Sequence, residues 1–330
     1  MAPEPPPRIA IVATERGDHG ARLVGLDERG DRQCEVVQPA ATLARDTNPA
    51  VSPDGRWIVF ASSRGRALSE TSLWIASVGL ERVAQPLTRG AGIDSQPAWT
   101  SDGRAIVFAS TRAGTFDLYR LAMDDGRARG EPERLTDAPG HEVTPTIAAD
   151  GTIYYAAVTP HDDRTIESRI ERRAPDGTIG ALTTGPADSS PALSPDGKTL
   201  AFIRPVQRDH GADAELWLYA LPTGEVTRLV DLPLTDEGGP VWSRDGRFVF
   251  ATSVLRGADG KAVFSSVIVI DTAARTRVAR MLEDRAGAIA RLTPAIVAPR
   301  LDAGALARDP EYLPELARIT AAAIAAQRAP

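Results

Sequence analysis

The amino-acid sequence predicts an all-β fold of repeated four-stranded sheets, and three observations support this prediction. A proline that opens a short strand recurs at a nearly constant interval, at Pro49, Pro97, Pro145, Pro191 and Pro240. An Asp-Gly turn follows each proline, and a short apolar run ending in an aromatic residue follows each turn. Four-stranded repeats of about 40–50 residues are typical of sheets stacked around an axis.

The stretch from Asp94 to Thr136 contains one complete repeat. Its strands are expected at Pro97 to Thr100, Ala105 to Ser110, Asp117 to Ala122 and Glu133 to Thr136. Asp102-Gly103 and Asp125-Gly126 separate strands in this unit. Asp-Gly pairs favour tight two-residue hairpins because glycine tolerates a positive φ, so we expect such a hairpin at both pairs.

The apolar positions indicate strands that are covered on both faces. The runs after the turns show little alternation, at Trp57 to Phe60, Ile106 to Phe108, Ile153 to Tyr155, Leu200 to Phe202 and Phe248 to Phe250. A strand without alternation needs a neighbour on each face of its sheet. A solenoid or a propeller satisfies this requirement, and the four-stranded unit favours the blades of a β-propeller.

The two ends of the chain are expected to complete one shared blade. Ile9 to Thr14, Arg22 to Asp27 and Gln33 to Val37 have the pattern of three strands without an opening strand before them. Leu292 to Ala298 repeats the opening pattern, with Pro294 and Ile296 in place. We therefore predict a six-bladed β-propeller, closed by its termini so that no sheet edge is left unpaired.

The chain divides into three predicted segments. Residues 1–8 form a proline-rich tether, because consecutive prolines prevent regular pairing and are also typical of the region after a removed export signal. Residues 9–299 form the propeller. Residues 300–330 are alanine-rich and predict a helical tail, with a helix from about Pro314 to Gln327. Its apolar stripe packs on the propeller or docks a partner; the stripe contains Leu316, Ile319, Ala323 and Ile324.

Composition argues against several classes of function. The net charge of −6 disfavours a broad nucleic-acid-binding surface. Cys34 is the only cysteine, so the chain has no internal disulfide and no Cys/His spacing typical of a metal site. No apolar run approaches the ~18 residues needed to span a bilayer, so no transmembrane segment is expected, and a lipid anchor on a native precursor is left open.

Two repeats carry a family resemblance. Ser52 to Arg64 (S-P-D-G-R-W-I-V-F-A-S-S-R) and Ser194 to Phe202 (S-P-D-G-K-T-L-A-F), with the closing Leu-Thr pairs, resemble the PD40 (WD40-like) repeats of TolB-like propellers. The resemblance covers about residues 46 to 299 and implies the propeller fold. It implies function less specifically, because this repeat serves periplasmic scaffolds, sensor domains and peptidase propellers. TolB-type propellers receive extended partner segments at the channel mouth, so a protein or peptide partner is implied.

A charged residue stands three positions before each opening proline. The six residues are Asp46, Asp94, Glu142, Asp188, Glu237 and Arg291. Because first strands line the channel of a propeller, we expect these side chains around its mouth. Carboxylates crowded around a low-dielectric opening favour a basic peptide segment or a cation such as Ca²⁺. No other cofactor is expected.

A structural role for these carboxylates is compatible with the binding role. Each carboxylate can accept hydrogen bonds from its own turn or pair with an arginine that follows a second strand. The candidate arginines are Arg64, Arg112, Arg204 and Arg256. Such ion pairs would connect neighbouring blades.

Catalytic residues are scarce in the sequence. His161 with Asp162 and Asp163, and His210 with Asp209 and Asp213, fall in loops on the same face as the acidic residues. A metal site or a lyase-like acid/base pair there is an alternative to ordinary polar loops. The pattern G-x-S-x-G is absent, and we expect no hydrolase domain of the kind that accompanies peptidase propellers.

The sequence therefore predicts a non-catalytic protein- or peptide-binding scaffold of the bacterial cell envelope, placed in the periplasm. An enzyme of lyase or hydrolase type acting at the same face is the main alternative. A cation-binding structural propeller is a second alternative, and the cytoplasm is the alternative location.

Overall fold

The computed structural model describes most of the chain between residues 9 and 294. The described residues are 9, 11–17, 20–26, 32–40, 43–78, 83–90, 92–160, 166–185, 187–208, 211–230, 235–256, 262–285 and 289–294. They form six antiparallel sheets of four strands each. Within these ranges there is no helix with the length and hydropathy required to span a bilayer.

The strands follow one another blade by blade, from the axis outward in each complete blade. The first blade contains β1 (Ile11–Gly17), β2 (Gly20–Leu26) and β3 (Arg32–Glu35). The second contains β4 (Asp46–Val51), β5 (Trp57–Ser62), β6 (Ser72–Ser77) and β7 (Gln85–Pro86). The third contains β8 (Asp94–Trp99), β9 (Ala105–Ser110), β10 (Asp117–Asp124) and β11 (Arg127–Arg134).

The second half of the ring repeats this order. The fourth blade contains β12 (His141–Ile147), β13 (Ile153–Pro160), β14 (Ile166–Arg173) and β15 (Ile179–Ala181). The fifth contains β16 (Ser189–Leu193), β17 (Thr199–Arg208), β18 (Gly211–Ala220) and β19 (Glu225–Arg228). The sixth contains β20 (Thr235–Trp242), β21 (Phe248–Arg256), β22 (Ala262–Asp271) and β23 (Thr276–Arg285), and β24 (Ile289–Pro294) returns to the first blade.

The hydrophobic core lies between adjacent blades. All six residues of β9 are buried, which confirms that second strands are covered on both faces. Val59 of β5 packs in one cluster with Ile106 and Phe108 of β9, so each interface combines side chains from two blades. Full burial of one such side chain contributes about 1.5–3 kcal/mol.

The two Asp-Gly pairs of the third blade form different turns. Asp125 and Gly126 have φ of 44° and 74° and connect the paired residues Asp124 and Arg127, so the two-residue hairpin is confirmed there. The same prediction is wrong at Asp102-Gly103, where only the glycine has a positive φ and Thr100 N–H donates to the carbonyl of Ala105.

A side-chain interaction explains the longer turn. The Asp102 carboxylate accepts hydrogen bonds from the Thr100 hydroxyl at 2.6 Å and from the Arg104 N–H at 2.9 Å. These bonds lower the pKa of Asp102 and hold the five-residue loop between β8 and β9.

Two strand boundaries also differ from the prediction. β8 begins at Asp94 rather than Pro97, because Asp94 and Ser95 already pair with the second strand before a bulge interrupts the register. β11 runs from Arg127 to Arg134 rather than from Glu133 to Thr136. It is an exposed outer strand, so no apolar pattern marked its start.

Closure of the ring by the two ends is confirmed. β24 pairs antiparallel with β1, and Ile11, Val12 and Ala13 lie opposite Pro294, Thr293 and Leu292. The blade count of six depends on this pairing. The predicted tether at 1–8, the tail at 300–330 and its helix lie outside the described residues, and the three-segment division remains a prediction.

Removal of the closing strand is expected to destabilise the ring. A chain ending at Arg285 lacks β24 and exposes the edge of β1, whereas a control chain ending at Pro299 retains β24. We expect the shorter chain to lose at least about 3 kcal/mol of unfolding free energy and to melt about 6 °C or more below the control. Circular dichroism melting and size-exclusion chromatography measure this; equal melting of the two chains would refute strand closure as a source of stability.

Candidate functional site

A cavity of about 550 Å³ lies where the first strands of five blades converge. Its lining comes from β4, β8, β12, β16 and β20 and from the residues that follow them. The prediction that first strands line a central channel is therefore confirmed. The groups that these strands present determine what the channel can bind.

Each of these five strands carries a bulge directly before its proline. The bulged residues have positive φ of 51° to 55°: Asn48, Gln96, Thr144, Ser190 and Gly239. The register with the second strand shifts at each bulge. Because a bulge re-aims a side chain, it explains how four amide or hydroxyl side chains come to line the cavity.

Hydrogen bonds connect the channel walls of successive blades. The Asn48 amide donates to the Ser95 hydroxyl at 2.7 Å, from the second blade to the third. The Gln96 side-chain carbonyl accepts from the N–H of Thr144 at 2.9 Å, from the third blade to the fourth. The bulged side chains therefore hold the ring together as well as lining the cavity.

The four described carboxylates at the predicted site are buried. They are Asp46, Asp94, Glu142 and Asp188, and their exposed fractions are 5%, 6%, 2% and 0%. None of them lines the cavity. These side chains were expected around the mouth of the channel; the four described carboxylates are buried beside the cavity because they bind groups inside the blades, and their role in binding a partner stays a prediction. Glu237 and Arg291 lie on β20 and β24, and their side chains are outside the described part of the chain.

Three of the carboxylates pair with the predicted arginines. Asp46 binds Arg64 at 2.5 Å, Asp94 binds Arg112 at 2.9 Å, and Asp188 binds Arg204 at 2.6 Å. The interpretation as structural ion pairs is confirmed at these positions. The side chain of Arg256, the fourth candidate, is outside the described residues.

Aromatic rings hold each of these guanidinium groups in place. Arg112 lies 4.8 Å from the ring centre of Tyr119 and 5.3 Å from that of Phe108. Arg64 and Arg204 lie between equivalent rings of their own blades. Cation–π contacts of this kind contribute about 0.5–2 kcal/mol each. Aromatic residues of the second and third strands therefore support the acid–arginine pairs.

These ion pairs do not connect neighbouring blades, in contrast to the prediction. Asp94 and Arg112 belong to the same blade, and the carboxylate of Asp94 is linked to the preceding blade by the hydroxyl of Thr88, which donates to it at 2.6 Å. Thr88 follows β7 and belongs to a closing Leu-Thr pair. The Leu-Thr pair is recognisable in the sequence, but its role as a donor to the acid of the next blade is not.

Glu142 in the fourth blade lacks the arginine found beside the other three. Thr159 stands at the position of Arg64 and Arg112, two residues beyond the residue that pairs with the acid. The nearby Arg169 pairs instead with Glu171, at 2.7 Å. One carboxyl oxygen of Glu142 consequently has no hydrogen-bond partner among the described residues.

The surroundings of Glu142 disfavour its charged form. Burial raises the pKa of the Glu142 carboxyl from 4.5 to about 7. This value includes the neighbouring carboxylates of Asp117 and Glu171, which also raise the pKa, and a hydrogen bond from Thr136 and the charge of Arg134, which lower it. The acids around the ring therefore differ: Asp46, Asp94 and Asp188 are paired with an arginine, whereas the charged form of Glu142 is disfavoured.

The predicted catalytic histidines are not among the described residues. His161 and His210 lie outside them, together with Asp162, Asp163 and Asp209. Asp213 is described and lies 3.8 Å from Arg208. Within the described ranges no group of three His, Cys, Asp or Glu side chains is placed to hold a metal ion. The enzyme and cation hypotheses accordingly stay predictions.

Six four-stranded sheets around a shared cavity define this chain as a six-bladed β-propeller. Residues 46–209, about half of the chain, match the family model described as PD40, TolB beta propeller domain. The chain is a TolB-like propeller built from PD40 repeats. No curated protein matches its sequence.

Solved structures share this fold at low sequence identity. TolB from Acinetobacter baumannii is 18% identical, with a TM-score of 0.67 over 87% of this chain, which spans 66% of that TolB chain. A putative TolB from Agrobacterium tumefaciens is 18% identical, with a TM-score of 0.60 over 85% of this chain and 91% of its own. A periplasmic gluconolactonase from Pseudomonas aeruginosa is 14% identical, with a TM-score of 0.56 over 88% of this chain and 99% of its own.

Loss of a buried carboxylate from an acid–arginine pair is expected to destabilise the blade. Asp188→Asn leaves Arg204 without its charge partner, and we expect a loss of about 3 kcal/mol or more in unfolding free energy. The control Asp124→Asn breaks an ion pair with Arg129 in which both side chains are more than half exposed, and should cost at most about 1 kcal/mol. Urea unfolding measures both, and equal costs would contradict the structural role of Asp188.

Glu142 has no arginine partner, and we expect that replacing it stabilises the protein at high pH, whereas replacing Asp188 destabilises it. Its folded pKa is raised, so its stabilising contribution is present below about pH 4.5 and is lost as the pH rises through about 7. Glu142→Gln cannot ionise and should gain on the order of 1–3 kcal/mol over the unmodified protein at pH 8, with no gain at pH 4.5.

The control for this measurement is Asp94→Asn, at the same position of the preceding blade. That variant should be less stable than the unmodified protein at pH 8, because Arg112 loses its partner. Urea unfolding at both pH values is the measurement. Destabilisation by Glu142→Gln at pH 8 would show that Glu142 is charged and paired.

Proposed function

We propose that this protein is a non-catalytic scaffold of the bacterial cell envelope that binds a protein or peptide at one face of the propeller. The six predicted site residues mark this face: Asp46, Asp94, Glu142, Asp188, Glu237 and Arg291. The observation that supports the proposal is the cavity beside them, whose wall carries amide and hydroxyl side chains on bulged strands. Such groups pair with a peptide backbone, which carries one donor and one acceptor at most residues.

The buried carboxylates serve this proposal by fixing the rim. Arg112 and Ser110 are the donors to Asp94 within its blade, and Thr88 is the donor from the blade before. A rim held at fixed positions loses little conformational freedom when a partner binds, which favours affinity. The carboxylates therefore do not contact the partner themselves; they fix the backbone of the rim that contacts it.

The envelope location rests on sequence features and on the class of protein. The proline-rich residues 1–8 are typical of a tether, and the PD40 resemblance includes periplasmic scaffolds. The enzyme alternative depends on His161 and His210, and the similarity to a gluconolactonase concerns the fold alone. The binding proposal has more support, because the amide and hydroxyl side chains on which it rests are seen to line the cavity.

Site-specific photo-crosslinking compares the two faces of one blade. Ala113 is exposed in the loop beside Asp94, and Ser101 is exposed in the turn at the opposite end of the same strands. A photoreactive phenylalanine analogue at Ala113, introduced in cells, should give a partner adduct on mass spectrometry, whereas the same analogue at Ser101 should not. Adducts from Ser101 alone would place the partner on the wrong face, and none from either position would contradict the scaffold role.

A further inference from the structure

The cavity has one ionisable side chain in its described lining. This side chain is Arg244, in the turn after β20; the other lining residues are neutral polar or apolar. Its Nη2 donates to the carbonyl of Pro53 at 3.1 Å. Pro53 belongs to the second blade and Arg244 to the sixth, on either side of the shared blade, so the exposed Arg244 side chain reaches from one blade to the other at the turn end of the cavity.

Arg244 has no carboxylate partner among the described residues. Its neighbour Asp245 is turned into its own loop, where it accepts from the Ser243 hydroxyl at 2.6 Å and from the Arg247 N–H at 3.1 Å. In the same turn, Arg247 pairs with Asp271 at 3.3 Å. Arg244 therefore brings a positive charge to the cavity that none of the described carboxylates offsets.

The pKa shifts of the arginines agree with this difference. Bonding to Asp188 raises the pKa of Arg204, and bonding to Asp117 raises that of Arg134. For Arg244, partial desolvation is the cause of the shift, and it lowers the pKa. An arginine remains protonated in proteins even so, and four of its five N–H donors are unused by described contacts.

The rest of the cavity restricts what can approach Arg244. Along each first strand the bulged residue is the first that lines the cavity, and Gly239 on β20 is five residues before Arg244. At a rise of about 3.3 Å per residue, these two residues are roughly 16 Å apart. Apolar side chains lie between them, among them Val51, Trp99, Leu193 and Trp242.

We propose that this cavity is a carboxylate-binding channel, in which Arg244 receives the carboxylate of a slender ligand and the apolar walls contact the chain behind it. A guanidinium fork matches a carboxylate with two parallel hydrogen bonds. One guanidinium offsets one negative charge, so the channel favours a carboxylate over a phosphate group, whose charge is near −2. The ligand is the carboxyl terminus of a peptide segment or a free organic acid.

Two tryptophans in the cavity wall allow a direct test. The indole N–H of Trp99 donates to the carbonyl of Ala50, and that of Trp242 donates to the carbonyl of Ala192. Both residues line the cavity, whereas Trp57, Trp74 and Trp217 do not. Indole ¹H–¹⁵N signals of labelled protein therefore report filling of the channel, with three internal reference signals, and Trp99→Phe and Trp242→Phe assign them.

The probes are acetyl-Gly-Val-Ala with a free carboxylate, the same peptide as its C-terminal amide, butyrate and inorganic phosphate. We expect the peptide acid to shift the Trp99 and Trp242 signals and to bind at least tenfold more tightly than the amide. Tighter binding of the peptide acid than of butyrate indicates a peptide segment as the ligand, and equal binding indicates a free acid. Both outcomes support a carboxylate site.

Three variants connect the binding to Arg244. Arg244→Gln should weaken binding of the peptide acid at least tenfold, and Arg244→Lys should give an intermediate loss because it keeps the charge without the fork. Arg247→Gln, in the same turn but outside the cavity lining, should bind like the unmodified protein. Thermal unfolding of each variant verifies folding, and the comparison of acid with amide on the unmodified protein needs no variant.

The channel hypothesis fails if the amide binds as tightly as the acid, if Arg244→Gln binds unchanged, or if phosphate binds more tightly than the carboxylates. These outcomes are independent of the scaffold proposal. A missing adduct at Ala113 would remove the protein partner and leave the carboxylate site standing, whereas loss of the carboxylate site would leave rim crosslinking unaffected.

Discussion

The structure depends on second strands that are apolar on both faces. β9 is buried along its whole length, and its Phe108 packs with Val59 of the preceding blade. A sheet of this kind is stable only between two other sheets, since an uncovered face would lose about 1.5–3 kcal/mol for each large side chain exposed. A row of such sheets has two uncovered ends, and a ring has none. Closure by β24 and β1 therefore follows from the same burial that builds each blade.

Closure in turn decides where charge can be placed. First strands lie at the axis, and a carboxylate at the start of such a strand is taken out of water by its neighbours. A buried ion pair is tolerated only when its remaining hydrogen bonds are also satisfied. Asp94 meets this condition through Ser110, Arg112 and Thr88. Glu142 does not, and burial raises its pKa instead. The mouth is consequently less negative than its acidic residues alone would indicate.

The sequence was informative wherever a feature is local and repeated. Prolines, Asp-Gly turns and apolar runs recur in phase, so the blades, their number and the closure could be predicted. Whether the acidic side chains point into the channel or into the blade could not be predicted, because the bulge at Gln96 shifts the register between Ser95 and Ala98. Strand alternation cannot be extrapolated through such a shift. Arg244 was missed for another reason: it replaces the proline of the S-P-D-G turn, and no periodic pattern marks an exception.

The bulges carry a conformational cost that the fold alone does not require. Asn48, Gln96, Thr144 and Ser190 have positive φ although none is glycine, and a backbone held in such a region costs about 1–3 kcal/mol per residue. The strain is concentrated at the axis, it recurs in four of the five complete blades, the exception being the sixth with Gly239, and it points polar groups into the cavity. Because strain of this kind is typical of functional sites, it favours the channel wall over the outer rim of the blades as the binding surface proposed above.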